Sequence, residues 1–325
     1  MKNVAVLAYD DCLVSAVSGV LEIFSIANTL TSESSAKDLF AGLKIVSPDG
    51  KNISGYVGIP LQVCGSIMDI RPDILVIPPV FGPIDVLLEN EPFIARIAEL
   101  EGQGTILASA CAGSFLVARA GLLDGKPATT HWKLAPDFSA RFAEVDLQPR
   151  RMLIDGGGYI CAGGAMAWQD LALHIVARFM GREVAADCAK ILVMDSTRDV
   201  QTPYFMFDNK TEESSFTDKE IGRVQEWMQE NYHLPASTRI FAEKAGLGER
   251  TFLRRFKKAT GMTPNNYLQQ LRIEAARHLL EVSSKGVEEI TARVGYDNPS
   301  SFRRLFKSMT GLSPREYRTR FSRME

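Results

Sequence analysis

Apolar residues along the first 195 positions follow two alternating rhythms. Short continuous runs, Val4–Ala8, Leu43–Ser47, Ile74–Ile77, Thr105–Ala110 and Tyr159–Ala162, have the length and apolarity of buried strands. Between them, Val17–Leu30, Ile84–Leu100, Gly113–Ala120 and Ala165–Met180 repeat their apolar positions every three to four residues, the stripe of an amphipathic helix. Strands alternating with helices predict an α/β domain, flavodoxin-like, with a mainly parallel sheet covered on both faces. The run Asp155-Gly156-Gly157-Gly158 between two apolar stretches predicts a hairpin turn, and its spacing is not that of a dinucleotide-binding loop.

Beyond Asp195 the rhythm dissolves into a polar stretch with one proline and an acidic cluster, the composition of a linker. Past Asp218 only helical periodicity returns. The expected organisation is therefore an α/β domain over 1–195, a linker over 196–218 and an all-α domain over 219–325.

The all-α segment repeats itself. Gly246-x5-Phe252-x3-Phe256-Lys257-x2-Thr260-Gly261-x-Thr263-Pro264-x2-Tyr267 returns as Gly295-x6-Phe302-x3-Phe306-Lys307-x2-Thr310-Gly311-x-Ser313-Pro314-x2-Tyr317. One supersecondary unit is used twice. Each copy reads as a helix-turn-helix: Ser237–Ala245 and Gly248–Ala259 joined at Gly246 in the first, with Asn265–Val282 as a long helix between copies. On a helical wheel Phe252, Arg255, Phe256 and Ala259 face inward, as do Phe302, Leu305, Phe306 and Met309. The opposite face carries Arg250, Thr251, Leu253, Arg254 and Lys257 in one copy. Ser300, Arg303, Arg304 and Lys307 occupy it in the other. A cationic ridge on a helix locked down by an aromatic pair suits the major groove of double-stranded DNA.

Charge sharpens this picture. Residues 219–325 hold 20 Lys and Arg against 12 Asp and Glu, whereas 1–218 hold 17 against 27. The basic half has the local positive charge that phosphate binding needs. Five cysteines, scattered and never at C-x-x-C spacing, predict neither a disulfide framework nor a metal site and fit a reducing, cytoplasmic compartment. No unbroken run of eighteen apolar residues occurs, so no membrane span is expected. No cofactor-binding motif is present either.

Candidate chemistry in the α/β half centres on Cys111. It lies in TILASACAGSF, an apolar strand, a cramped Ala-Cys-Ala-Gly and then a helix, the order of a nucleophile elbow. A helix N-terminus favours anions and lowers thiol pKa values. Glu22 on the first helix, the amides of Ala112 and Gly113, and His131 are expected to join Cys111 around one pocket, with the indoles of Trp132 and Trp168 either walling it or serving as ordinary core aromatics. A small zwitterion fits such a set: amides for its carboxylate, Glu22 and the indoles for its cation. Two alternatives place chemistry at Cys111 itself: cysteine-dependent hydrolysis, and thiol redox sensing with Cys161 as a resolving partner. His174 is expected to be a packed core histidine, Cys12, Cys64 and Cys188 small buried hydrophobes, and Trp227 a packing residue of the all-α half.

Residues 221–321, through Gly246, Gly295-Tyr296, Ser301-Phe302, Phe306-Lys307, Thr310-Gly311 and Ser313-Pro314-x-x-Tyr317, resemble the AraC/XylS family of bacterial regulators. Arg255 departs from that pattern, where an apolar residue is usual, and is expected to snorkel from the helix edge. Residues 1–195, through GVLEIF, SACAGSF, AGLLDGKPATTHW and AGGAMAWQDLALHIV, resemble the PfpI-like branch of the class I glutamine-amidotransferase-like superfamily. Peptidase-like members of that branch usually carry His after the nucleophile, where this chain has Ala112. The combination resembles the GlxA-type regulators, several of which respond to amino-acid-derived or quaternary-ammonium metabolites. The resemblance implies a homodimeric, ligand-controlled DNA-binding regulator with no catalytic residues.

Overall fold

A computed structural model of the chain describes residues 1–32, 39–195, 198–207 and 218–322. It resolves into two units, Met1–Gln201 and Thr202–Glu325.

The first unit is built on a six-stranded sheet. Its spatial order is Phe40–Val46, Lys2–Leu7, Ile74–Ile77, Ile106–Ala110, Tyr159–Ala162 and Leu153–Asp155. The first five strands run parallel, and Leu153–Asp155 pairs antiparallel to Tyr159–Ala162 across the glycine turn. Strands buried on both faces read as unbroken apolar runs, which is why Ile74–Ile77 and Tyr159–Ala162 are entirely buried. Helices Val14–Ser32, Glu91–Gly102, Gly113–Arg119, Trp168–Met180 and Arg182–Ile191 cover the sheet domain. The stretch expected as one helix over Ile84–Leu100 is two, because Asn90 caps a new start by accepting the Phe93 amide and Pro92 follows it.

Residues Val14–Thr31 of the first helix are long and apolar enough on average to cross a membrane, a property that the search for an unbroken apolar run passes over. Here Val17, Val20, Phe24 and Ala27 are buried, and the helix packs on Trp168–Met180, Arg182–Ile191 and strand Phe40–Val46.

Of the stretch expected as linker, residues 196–197 and 208–217 lie outside the described residues. The remainder is built into the two units. In the first, Val200 bridges to Arg151, and Gln201 is buried with its amide donating to the carbonyls of Thr130 and Arg151 at 2.9 and 3.0 Å. In the second, the buried Arg277 donates to the carbonyls of Thr202, at 3.1 Å, and Phe205. Tyr204 lies edge-on to Phe321, and Phe207 edge-on to Tyr267.

The second unit holds seven α-helices among its described residues: Lys219–Asn231, Thr238–Lys244, Glu249–Thr260, Pro264–Val282, Val287–Arg293, Pro299–Thr310 and Pro314–Phe321. They enclose two separate cores, one around Phe241, Phe252, Phe256 and Tyr267, the other around Ile290, Phe302, Phe306 and Tyr317. Each fully buried Phe contributes roughly 2–3 kcal/mol of apolar burial, so every copy carries its own core. Gly246 and Gly295 take φ of 65° and 84° at the turns, and Gly261 and Gly311 end their helices at φ of 70° and 79°. A side chain at any of these four would be strained.

Candidate ligand and nucleic-acid sites

Strand Ile106–Ala110 delivers Cys111 into helix Gly113–Arg119 through a left-handed turn, with φ of 56° at the cysteine. The elbow is real, and it costs about 1–2 kcal/mol of backbone strain in a non-glycine residue. Its amide donates to the Ala162 carbonyl at 2.8 Å, and its carbonyl accepts from Ser114 and Thr130 hydroxyls at 2.9 Å each. A Cβ on Gly113 would stand 2.7 Å from the Ile77 carbonyl oxygen, so only glycine lets this turn approach the neighbouring strand. The price of that packing is solvent access: Cys111 is 6% exposed and Ala112 4%.

Burial therefore decides the chemistry of the thiol. Desolvation pushes Cys111 up to about 12, and the hydrogen bond from the Ala112 amide, which lowers it, does not offset this. The expected activation by a helix N-terminus is overridden; the helix is only seven residues long. Cys161 is likewise buried and pushed up to about 11, with its sulfur 3.5 Å from Ser109 Oγ. His131 makes no hydrogen bond to Cys111 among the described residues. Its Nδ1 accepts the Lys133 amide at 3.1 Å, its ring stacks on Trp132, and burial followed by the Lys133 charge lowers its pKa.

Glu22 and Trp168, the remaining members of the expected pocket, make no hydrogen bond or ion pair with the Cys111 thiol among the described residues. Glu22 is exposed on the first helix and has no hydrogen bond or ion pair with Cys111, His131 or Trp132 among the described residues. Trp168 is 7% exposed, its ring lies against Gly19, and its indole Nε1 is buried without a partner among the described residues. Two further expectations need correction. His174 is not a core residue: a third of its side chain is exposed, and Nε2 sits 2.7 Å from Asp155 Oδ2 beside Arg178. Cys64 is exposed, while Cys12 and Cys188 are fully buried.

Two clefts of the sheet domain are lined by other residues. One, of about 610 Å³, opens between the loops that follow Lys2–Leu7, Phe40–Val46 and Ile74–Ile77, lined by Tyr9, Asp10, Asp11, Asp49 and Lys51 among others. The chain crosses from one side of Lys2–Leu7 to the other here, and open α/β sheets take ligands at such switch points. Its charges are largely engaged: Asp10 accepts the Ser54 amide, and Asp49 pairs with Lys51 at 2.7 Å. The other, of about 640 Å³, lies between Trp168–Met180, Arg182–Ile191, the segment Arg151–Leu153 and the segment Arg198–Asp199.

In the second unit the inward and outward faces fall as the wheel predicts. Phe252, Phe256, Phe302 and Phe306 are fully buried, with Ala259, Leu305 and Met309 partly so. Arg250, Thr251, Leu253, Arg254 and Lys257 are exposed on helix Glu249–Thr260, Ser300, Arg303, Arg304 and Lys307 on helix Pro299–Thr310. The ridges differ in one respect: Arg303 is ion-paired with Glu288 of the preceding helix, whereas Leu253 at the matching position is 40% exposed. Arg255 does not snorkel freely, because it is held by Asp218 and Glu220. Trp227 packs on Phe241, with Lys244 Nζ 4.1 Å from its ring centre.

An α/β domain with a buried cysteine elbow and a duplicated helix-turn-helix define a two-domain DNA-binding regulator, and comparison with known proteins agrees. Residues 21–178 match the DJ-1/PfpI family, and residues 241–320 match the helix-turn-helix domain family. The chain combines a DJ-1/PfpI domain with an AraC-type helix-turn-helix domain. It is 25% identical to the HTH-type transcriptional regulator CdhR of Pseudomonas aeruginosa over 275 residues, 84% of this chain and 80% of that protein. It is 27% identical to the HTH-type transcriptional regulator GbdR of the same organism over 222 residues, 66% of this chain but only 58% of GbdR. The crystal structure of an AraC family transcriptional regulator from Pseudomonas putida shares the fold, with a TM-score of 0.51 at 20% identity, covering 59% of this chain and all of that one.

Proposed function

We propose that this transcription regulator uses its DJ-1/PfpI domain as a non-catalytic sensor of a small metabolite, and that sensing adjusts DNA binding by the two recognition helices. The reading is carried by Cys111: a thiol that is buried, pushed up to about 12 and without a hydrogen-bonded base among the described residues is a poor nucleophile at neutral pH. The fold of a cysteine hydrolase is kept while its reactive group is closed off, which leaves binding as the use of the domain. The effector is an amino-acid derivative or a quaternary ammonium compound. The regulator works as a cytoplasmic homodimer on double-stranded DNA, its ligand acting by shifting the population of DNA-competent states.

The test is operator binding by the full-length protein, with and without candidate metabolites, alongside a Cys111→Ser variant. Wild type and variant should respond to effector equally. Loss of the response in Cys111→Ser, with DNA binding intact, would transfer the mechanism to thiol chemistry.

A further inference from the structure

The cleft between helices Trp168–Met180 and Arg182–Ile191 carries two cationic groups that no described residue pairs. Arg151 and Arg182 line it, and neither side chain makes a hydrogen bond or ion pair with any described residue. The other guanidiniums around the cleft are matched, Arg178 by Asp155 at 3.1 Å and Arg198 by Asp170 at 2.7 Å, and the His174 ring is hydrogen-bonded to Asp155. Leu173, Ala177 and Ala186 contribute apolar surface to the same cleft. Asp199, exposed on the same rim, also lacks a partner among the described residues. Solvated arginines on a convex surface need no explanation. Two unpaired arginines in a concavity of about 640 Å³ that also holds apolar side chains can meet a small anionic group and the aliphatic body attached to it.

We propose that this cleft binds the effector, and that the effector is a small zwitterion of the amino-acid class. Its carboxylate pairs with Arg151 and Arg182, its aliphatic body lies on Leu173, Ala177 and Ala186, and its cationic end faces Asp199. The inference rests on the sensor reading above and replaces the Cys111 pocket as its location. Guanidinium forks match carboxylates in geometry as well as charge, which favours this ligand over a bare cation.

The rim of the cleft also supplies a route for the signal. Arg198 is fixed there by Asp170, with the two side chains 19% and 11% exposed, and the Met152 amide donates to the Asp199 carbonyl at 3.1 Å. Three residues further on, the chain reaches Thr202, the first residue of the DNA-binding unit, whose carbonyl is held by Arg277. A ligand on Arg151 and Asp199 thus touches the segment that continues directly into that unit.

Thermal-shift measurements on the full-length protein test this with glycine, 4-aminobutyrate, arginine and butyrate against tetramethylammonium. At least one of glycine, 4-aminobutyrate and arginine should raise the melting temperature, by roughly 5 °C near hundredfold saturation. Butyrate should raise it less and tetramethylammonium not at all; a shift from butyrate alone overturns the zwitterion. Arg151→Gln and Arg182→Gln, both at exposed positions, should each weaken the zwitterion that binds at least about tenfold. A shift that survives both variants overturns the site while leaving the sensor reading intact. A shift from tetramethylammonium alone overturns the ligand class and the site together. Absence of any shift, with operator binding also unresponsive to every compound, overturns the sensor reading itself.

Discussion

Arg255 closes on Asp218 with a paired contact, Nε to Oδ2 at 2.7 Å and Nη2 to Oδ1 at 2.6 Å. Asp218 also caps helix Lys219–Asn231 by accepting the Ile221 amide at 3.2 Å. One carboxylate therefore starts the first helix of the second unit and ties it to helix Glu249–Thr260. Glu220 adds a further acceptor at 2.7 Å.

The pair makes a pH-dependent contribution whose sign is fixed. The Arg255 hydrogen bonds hold the Asp218 carboxyl below the usual carboxylate range. A depressed folded-state pKa stabilises above the unfolded value near ~3.9, and the benefit is lost as pH falls through the lower folded value. Asp218→Ala should cost about 1–2 kcal/mol at pH 7 through the lost cap and pair. Urea titrations of wild type and variant should converge as the pH drops below about 4; a gap that persists at pH 2–3 would remove the ionic part of this account.

DNA affinity should divide along the exposed ridges. Arg254→Ala and Arg304→Ala should each lose ~1–3 kcal/mol of specific binding, as expected for arginines that read base edges. Lys257→Ala and Lys307→Ala should weaken all sequences alike and flatten the salt dependence by about one ion each. Gel-shift titrations over a salt series measure both, and unchanged binding in both arginine variants would reverse the orientation of the helices on DNA.

The second ridge carries a built-in restraint. Glu288 holds Arg303, so this cation reaches DNA only after leaving its partner. Glu288→Gln should tighten binding and steepen the salt dependence by about one ion, since it frees a cation and removes an anion beside the phosphates. Weaker binding in that variant would instead assign Glu288 a direct contact with bases.

The fold was legible where periodicity and burial coincide. Ile74–Ile77 and Tyr159–Ala162 are strands to the residue, because both faces of the sheet are covered and nothing interrupts the apolar run. Helix Arg182–Ile191 was missed because alanines line its inner side, leaving a faint stripe in REVAADCAKI. The two-residue strands Pro127–Ala128 and Asp146–Leu147 are too short for any rhythm. The exposed cationic face was readable from the duplication of Phe252-x3-Phe256, since an aromatic pair that must be buried fixes which side is exposed. The pocket was not. Sequence places Cys111 at an elbow, where local logic lowers a thiol pKa, but only the approach of Ile77 and Thr130 reveals that burial dominates. Arg151 and Arg182 are thirty-one positions apart with no motif around either, so nothing in the chain signals that they line one cleft.

The closed state of Cys111 has two consequences that separate it from a reactive cysteine. The first is labelling. Cys64 is exposed, and Cys12, Cys111, Cys161 and Cys188 are buried, so a disulfide-exchange reagent at pH 8 should modify one thiol rapidly in the native protein. In Cys64→Ser no fast thiol should remain. The second is a stability slope. The folded thiol sits near 12 against an ordinary value of 9.0, so between these limits the unfolded chain releases a proton that the folded one keeps. The associated stability is fully present below pH 9 and is lost as pH rises toward 12, at up to ~1.4 kcal/mol per pH unit. Cys111→Ser lacks this proton, so its stability should fall less steeply than that of wild type between pH 9 and 10.5, whatever the substitution does to stability at neutral pH. Rapid labelling of Cys111 in the Cys64→Ser background, or parallel slopes in the two proteins, would mean that the elbow opens to solvent and that its thiol is available for chemistry.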